Sequence, residues 1–166
     1  MQQPVKPQQS LTKLFQNLQK EYAFKKMAIP QTTELLINFD DIVDLQISTE
    51  LGTLIYRSIN NFVQNAIEAT PREGKITITV CKSKIKNNFI DITVTDTGRG
   101  IPAHIIAKLG HEKLSYGKNT EPENTFNSGS GIALYNAKND LAKFDSALVI
   151  TSIENQGTSI CMIVKV

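Results

Sequence analysis

The sequence predicts a two-layer α/β (α+β) sandwich, in which helices cover one face of a mixed, mostly antiparallel sheet. Three observations carry that expectation. Residues 75–82, 89–95, 147–152 and 158–166 each place an apolar side chain at every second position, as strands with one buried face do. These runs pair off around short turns at Asn87-Asn88 and at Asn155-Gln156-Gly157, which favours hairpins. Before and between them lie three stretches whose apolar residues recur at the helical period, near 10–27, 48–70 and 132–144.

Taken in order, residues 1–9 are polar, contain two prolines and are expected to form a disordered tail. Ser10 is placed to cap a helix running to about Met27, with Leu11, Leu14, Phe15, Leu18 and Tyr22 on one side and Pro30 as its stop. Residues 34–39 read as a strand, and 43–48 alternate as a second. Ser48 or Thr49 then caps the longest helix, which ends at Thr70-Pro71. After the first hairpin, Pro102 opens a short helix at its first turn. From Gly110 to Ser128 periodicity is lost in a stretch rich in Gly, Asn, Ser and Glu. The last helix and the second hairpin close the chain.

At 166 residues the chain is one domain of ordinary size, and a net charge of +2 makes no case for nucleic acid or a membrane surface. No apolar run is long enough to span a bilayer and no signal-peptide pattern begins the chain, so a cytoplasmic location is expected. Cys81 and Cys161 each sit in an apolar, strand-like run. They are expected as buried free thiols, with a single disulfide as the alternative.

The long helix has two faces. Ile55, Ile59, Phe62, Val63, Ala66 and Ile67 form an apolar stripe, while Arg57, Asn61, Asn65 and Glu68 line another side at spacings of four, four and three. Asparagine is a weak helix former because its amide competes for backbone hydrogen bonds. Two amides one turn apart therefore mark either a solvated, hydrogen-bonded face or a ligand site. An amide oxygen suits Mg²⁺, which prefers oxygen ligands and shares its shell with waters and phosphates.

Two glycine-bearing joints follow. In Asp96-Thr-Gly-Arg-Gly-Ile-Pro102, Gly98 and Gly100 permit close backbone approach, leaving Asp96 as an acceptor at a strand end. It can accept from the exocyclic amine of a base; equally, it can close a plain Asx turn. In Asn127-Ser-Gly-Ser-Gly-Ile-Ala-Leu134, a Gly-rich loop opens a helix whose free N–H groups suit a phosphate. A Rossmann fingerprint would need glycine at Leu134, and a Walker A loop would need Ser or Thr where Asn119 follows Gly117-Lys118.

In combination these features are specific. An Asn-bearing helix, a D-x-G-x-G loop, an irregular stretch, a G-x-G helix start and a late Gly157-Thr158 resemble the Bergerat ATP-binding fold of gyrase, a heat-shock chaperone, sensor histidine kinases and the MutL repair proteins. The resemblance runs from about Glu34 to the end. It implies ATP and Mg²⁺ as cofactors, with Asn65 binding the metal and Asn61 nearby. It implies that Asp96 takes the adenine amine with Thr158 helping through water, and that Gly98, Gly100 and Ile101 shape the base pocket. Gly129, Ser130, Gly131 and Ile132 would lie against the phosphates. Residues 109–128 would form a lid carrying Lys118, the cation best placed to meet a phosphate.

Within that superfamily, hydrolysing members carry a glutamate one turn before the metal asparagine; here Asn61 stands in its place, and an amide is a poor general base. Asn-x-x-x-Asn-Ala, as in Asn61 to Ala66, is similar to the N box of sensor histidine kinases, as are Leu114-Ser-Tyr-Gly-Lys118 and the Gly129 to Lys138 segment. Ala133 and Glu68 depart from the usual residues. The resemblance implies a catalytic and ATP-binding domain, residues 30–166, behind a connector helix at 10–29. Asn61 and Lys118 are its candidate catalytic residues. The expected partners are a histidine-bearing dimerisation domain and, through it, a response regulator, with the domain alone monomeric. His104 and His111 read as surface histidines rather than acceptors. An anti-sigma-type serine kinase and a non-catalytic nucleotide-sensing scaffold are the alternatives.

Overall fold

The computed structural model describes residues 7–25, 34–39, 45–70, 73–109 and 130–166. Its elements are β1 (Gln8–Ser10), α1 (Leu11–Lys25), β2 (Glu34–Phe39), β3 (Gln46–Ser48), α2 (Thr49–Ala69), β4 (Lys75–Lys82), β5 (Phe89–Asp96), α3 (Ala103–Ile106), α4 (Ser130–Ala142), β6 (Ala147–Ile153) and β7 (Gly157–Lys165). Five strands form one sheet in the order β2-β4-β5-β7-β6. The β2–β4 pair is parallel and the other three pairs are antiparallel, so the sheet is mixed and mostly antiparallel, as predicted.

Strand alternation decides which face the helices cover. Ile76, Ile78 and Val80 of β4, Ile90, Ile92 and Val94 of β5, and Ile160, Met162 and Val164 of β7 are all buried. They share one core with Ile55, Ile59, Phe62 and Ala66 of α2 and Leu134, Ala137 and Leu141 of α4. The intervening Thr77, Thr79, Asp91, Thr93 and Cys161 are only half-buried. A sheet that buries one face against helices and leaves the other open is the two-layer sandwich. Cys81 and Cys161 lie on β4 and β7 with β5 between them, and both are free. Two strand spacings, about 10 Å, exceed the reach of a disulfide.

Four local readings change. Leu11, Phe15, Leu18 and Tyr22 of α1 are buried in the same core as the sheet, so this helix packs into the domain it precedes. Tyr22 donates from its hydroxyl to Asn60 Oδ1 at 2.8 Å, and Tyr56 donates to Glu21 Oε2 at 2.7 Å, joining α1 to α2. Burial raises the Tyr22 phenol's pKa, with the Glu21 carboxylate adding to the effect. Gln8–Ser10, at the edge of the expected tail, instead form a short antiparallel strand on Gln46–Ser48. Finally, α4 begins at Ser130 rather than Ile132, and Pro102 precedes the first helical residue of α3 instead of occupying it.

Candidate functional site

The sheet end at which β5 and β7 meet is where the predicted residues converge. Asp96 is the last residue of β5 and stands opposite Thr158, the second residue of β7. Phe62, Asn65, Ala66 and Ala69 of α2 form one wall of a cleft there, and Leu134, in the first turns of α4, contributes to the other side. Val94, Asp96, Arg99, Gly100, Ile101, Thr158 and Ile160 complete it, around a small cavity of about 60 Å³. The lining is apolar with a few convergent polar groups, the usual make-up of a small-molecule site.

Asp96 is buried, 7% exposed, and its Oδ1 accepts the backbone N–H of Gly98 at 2.8 Å. Burial lifts its carboxyl above the ordinary carboxylate value; the N–H groups of Gly98 and Thr158 and the charge of Arg99 pull the other way and offset only part of that. A carboxyl kept at the floor of a cleft by backbone donors is an acceptor aimed at whatever enters.

The loop that follows is pinned on three sides. Thr97 exchanges two bonds with Lys75 of β4: its N–H donates to the Lys75 carbonyl at 3.0 Å, and its Oγ1 accepts the Lys75 N–H at 2.8 Å. Arg99 donates its N–H to the Ala69 carbonyl at 3.1 Å and accepts from Asn155 N–H at 2.7 Å. Ile101 donates its N–H to Ser152 Oγ at 2.8 Å. Both glycines are required by this geometry. A Cβ on Gly98 would meet the Ala69 carbonyl oxygen at 2.5 Å, and Gly100 has φ +64° with its backbone against the Ile153 carbonyl.

The two asparagines of α2 separate. Asn65 lines the cleft, half-buried, and its Nδ2 is buried without a hydrogen-bond partner among the described residues. Asn61, one turn earlier, is exposed and borders a shallow polar depression with Glu21, Tyr56, Arg57, Asn60 and Gln64. Glu68, a possible obstacle to an anionic ligand, is exposed, accepts from Gln64 Nε2 at 3.0 Å and does not line the cleft. Ile132 is 40% exposed at the start of α4. Lys118, Gly129, His111 and all of the expected lid beyond Leu109 lie outside the described residues, and of Ser130 and Gly131 only their place in α4 is described. His104 is exposed on α3.

Could the cleft hold Mg²⁺? Among the described residues no group of three or more His, Cys, Asp or Glu side chains could hold a metal by itself. What the cleft offers is one uncharged amide, at Asn65, whose unpaired atom is the Nδ2 donor; the oxygen at the other end of the same group is the end a metal would take. That fits an ion that arrives with its own waters and phosphate oxygens and takes a single ligand from the protein.

Sequence reasoning missed Ser152. Its hydroxyl takes the Ile101 N–H, donates to the Gly157 carbonyl at 2.8 Å and lies 2.9 Å from Thr158 Oγ1, tying the β6–β7 turn to the glycine loop. A serine in an alternating strand carries no motif; its role comes from the register that sets it opposite Thr158. The walls formed by Phe62, Leu134 and Ile160 were visible in the sequence only as core positions.

Comparison with known proteins identifies the family and the fold. Residues 51–166 match the family described as histidine kinase-, DNA gyrase B- and HSP90-like ATPase. Histidine kinase P4 of Formosa agariphila is 29% identical over 102 residues, covering 61% of this chain and 7% of that protein. Histidine protein kinase SaeS of Staphylococcus epidermidis is 25% identical over 111 residues, covering 67% of this chain and 30% of that protein. The chain thus spans less than a third of the length of either relative. The catalytic domain of histidine kinase ThkA superposes with a TM-score of 0.71 at 21% identity, covering 95% of both chains, a likeness of fold. No described helix is long and apolar enough to cross a membrane.

Proposed function

Because this chain belongs to the histidine kinase-, DNA gyrase B- and HSP90-like ATPase family, we propose that it is the ATP-binding catalytic domain of a sensor histidine kinase. On this reading it binds Mg-ATP and presents the γ-phosphoryl group to a histidine on a separate dimerisation domain, from which a response regulator is charged. The observation that carries the reading is the convergence, in one apolar cleft, of Asp96, Thr158 and Asn65, whose Nδ2 is unpartnered.

Each residue then has a task. Asp96 accepts from the adenine amine, with Thr158 beside it, while Ile101, Val94 and Ile160 flank the base. The N-terminus of α4 offers its free N–H groups to the phosphates, with Lys118, Gly129 and Gly131 as further proposed contacts. Asn65 supplies one oxygen to Mg²⁺, whose chemistry when bound is to neutralise phosphate charge. Phosphoryl transfer needs little covalent work from a protein; positioning and charge neutralisation suffice. Asn61 is exposed one turn before Asn65, in the position where the hydrolysing members carry a glutamate, and its amide leaves that role unfilled, which favours transfer over hydrolysis.

A thermal-shift series tests the reading. Mg-ATP at about a hundred times its dissociation constant should stabilise the protein by about 2.7 kcal/mol, because ligand binds only the folded state. The shift should vanish in Asp96→Asn. An unchanged melting temperature at millimolar Mg-ATP contradicts the proposal.

A further inference from the structure

The small net charge of the chain, +2, hides an uneven distribution. Residues 82–89, which span the tip of the β4–β5 hairpin, hold three lysines and neither aspartate nor glutamate, so this tip alone carries more than the molecule's surplus. Lys82, Lys84 and Lys86 are all exposed, and none is in an ion pair with a described residue. Between the last two stands Ile85, 84% exposed, the most exposed large apolar side chain among the described residues. The tip is held in shape: the Ser83 N–H donates to the Phe89 carbonyl at 2.9 Å, and the Lys86 ammonium lies 5.0 Å from the centre of the Phe89 ring. Beside it opens a groove of about 600 Å³, whose lining combines Lys82, Lys86, Asn87 and Asn88 with Leu45 and Phe89. All of this sits at the far end of β5 from Asp96, roughly 25 Å along the strand.

We propose that this tip is a docking element for an anionic lipid surface: the three lysines meet the headgroups, and Ile85 enters the boundary between headgroups and acyl chains. The proposal stands apart from the nucleotide reading and uses none of its residues. Three free lysines alone fit any polyanion; Ile85 is what narrows the class. An aliphatic side chain at a convex tip gains nothing from the phosphates of a nucleic acid, which take charge and hydrogen bonds. A stable protein interface covers on the order of 800 Å² on each partner, and one isoleucine among three lysines offers far less. A bilayer needs no complementary shape. Long lysine stems let the ammonium groups stay among the headgroups while the apolar side chain between them goes deeper. The cations, amides and apolar side chains of the groove suit a headgroup and the start of its acyl chain. Each lysine near an anionic surface is worth about fivefold in affinity, so three of them make a weak, reversible and salt-sensitive attachment. Docked by this end, the domain keeps the Asp96 cleft at the opposite end of β5, clear of the bilayer.

The test is co-sedimentation of the whole chain with vesicles of phosphatidylserine and phosphatidylcholine, and with vesicles of phosphatidylcholine alone, at low and at high salt. The wild type should bind the anionic vesicles at low salt, leave them at high salt and ignore the neutral ones. Lys82→Gln, Lys84→Gln and Lys86→Gln combined should weaken binding about a hundredfold, and Ile85→Asn alone about tenfold. All four side chains are exposed, so these variants should fold as the wild type does. The chain has no tryptophan, so Ile85→Trp places a single reporter at the tip. Its emission should shift to the blue with anionic vesicles and stay unchanged with duplex DNA. No binding to anionic vesicles at low salt, equal binding to neutral ones, or a triple lysine variant that binds as the wild type does overturns the proposal. So does an Ile85→Asn variant with undiminished vesicle binding, or an Ile85→Trp emission that shifts equally with DNA, since either result leaves a general polyanion site with no lipid component.

Discussion

Asp96 concentrates the conflict between folding and function in one side chain. Burial favours its neutral form, yet only the ionised form can accept from an adenine amine without offering a proton of its own. The sign follows for both properties. Because its folded pKa lies above the unfolded one, its contribution to stability is most favourable at low pH and declines as pH rises from the unfolded value through the folded one. Nucleotide affinity should run the opposite way, falling as pH drops through the raised pKa, and calorimetry at a series of pH values would show it; affinity flat down to the ordinary carboxylate range would contradict the assignment. Gly100 gives a second prediction at this scale. With φ +64° and the Ile153 carbonyl where a Cβ would sit, Gly100→Ala should cost about 1–3 kcal/mol in chemical denaturation. Helical spacing alone does not say which of two stacked asparagines lines the cleft; it was the resemblance that singled out Asn65. Asn61 and Asn65 have the same chemistry and the same helical stripe; only the packing of α2 against β5 and α4, with Phe62 and Ala66 inward, turns Asn65 into the cleft.

Among the elements, α2 is specified most strongly by local sequence. Ser48 caps it, its hydroxyl accepting the Leu51 N–H at 3.2 Å, and the apolar stripe predicted at the helical period is the stripe that is buried. Ser48→Ala should cost about 1 kcal/mol in thermal or denaturant unfolding, without altering nucleotide binding. For α1 the pattern was equally clear but its destination was not. A stripe of Leu11, Phe15, Leu18 and Tyr22 says that a helix must be covered, and nothing in its spacing says by what. The core it joins makes a measurable difference: Phe15→Ala should destabilise the whole domain by about 3–5 kcal/mol in denaturant unfolding, and an unchanged stability would contradict the shared core. The strand Gln8–Ser10 was illegible for a related reason. Three polar residues carry no alternation, and their pairing with Gln46–Ser48 is dictated by where α1 and α2 place the two segments.

Over the whole molecule, the sheet was readable because each strand keeps one dry face, and the hairpins because their turns sit at residues that tolerate positive φ: Asn88 at 61° and Asn155 at 62°. The order β2-β4-β5-β7-β6 was not readable, since alternation fixes the faces of strands and leaves their neighbours open. That order is what brings the end of β5 beside the start of β7, and hence Asp96 to Thr158, under the asparagine of α2. The central claim is that these parts form one Mg-ATP site. Titration calorimetry with ATP, with and without Mg²⁺, on the wild type, Asp96→Asn and Asn65→Ala tests it most directly. The account predicts binding strengthened by Mg²⁺ in the wild type, binding lost in Asp96→Asn, and Mg²⁺ dependence lost in Asn65→Ala. Folded wild-type protein that takes up no heat-detectable ATP at millimolar concentration, or an Asp96→Asn variant that binds as the wild type does, would contradict it.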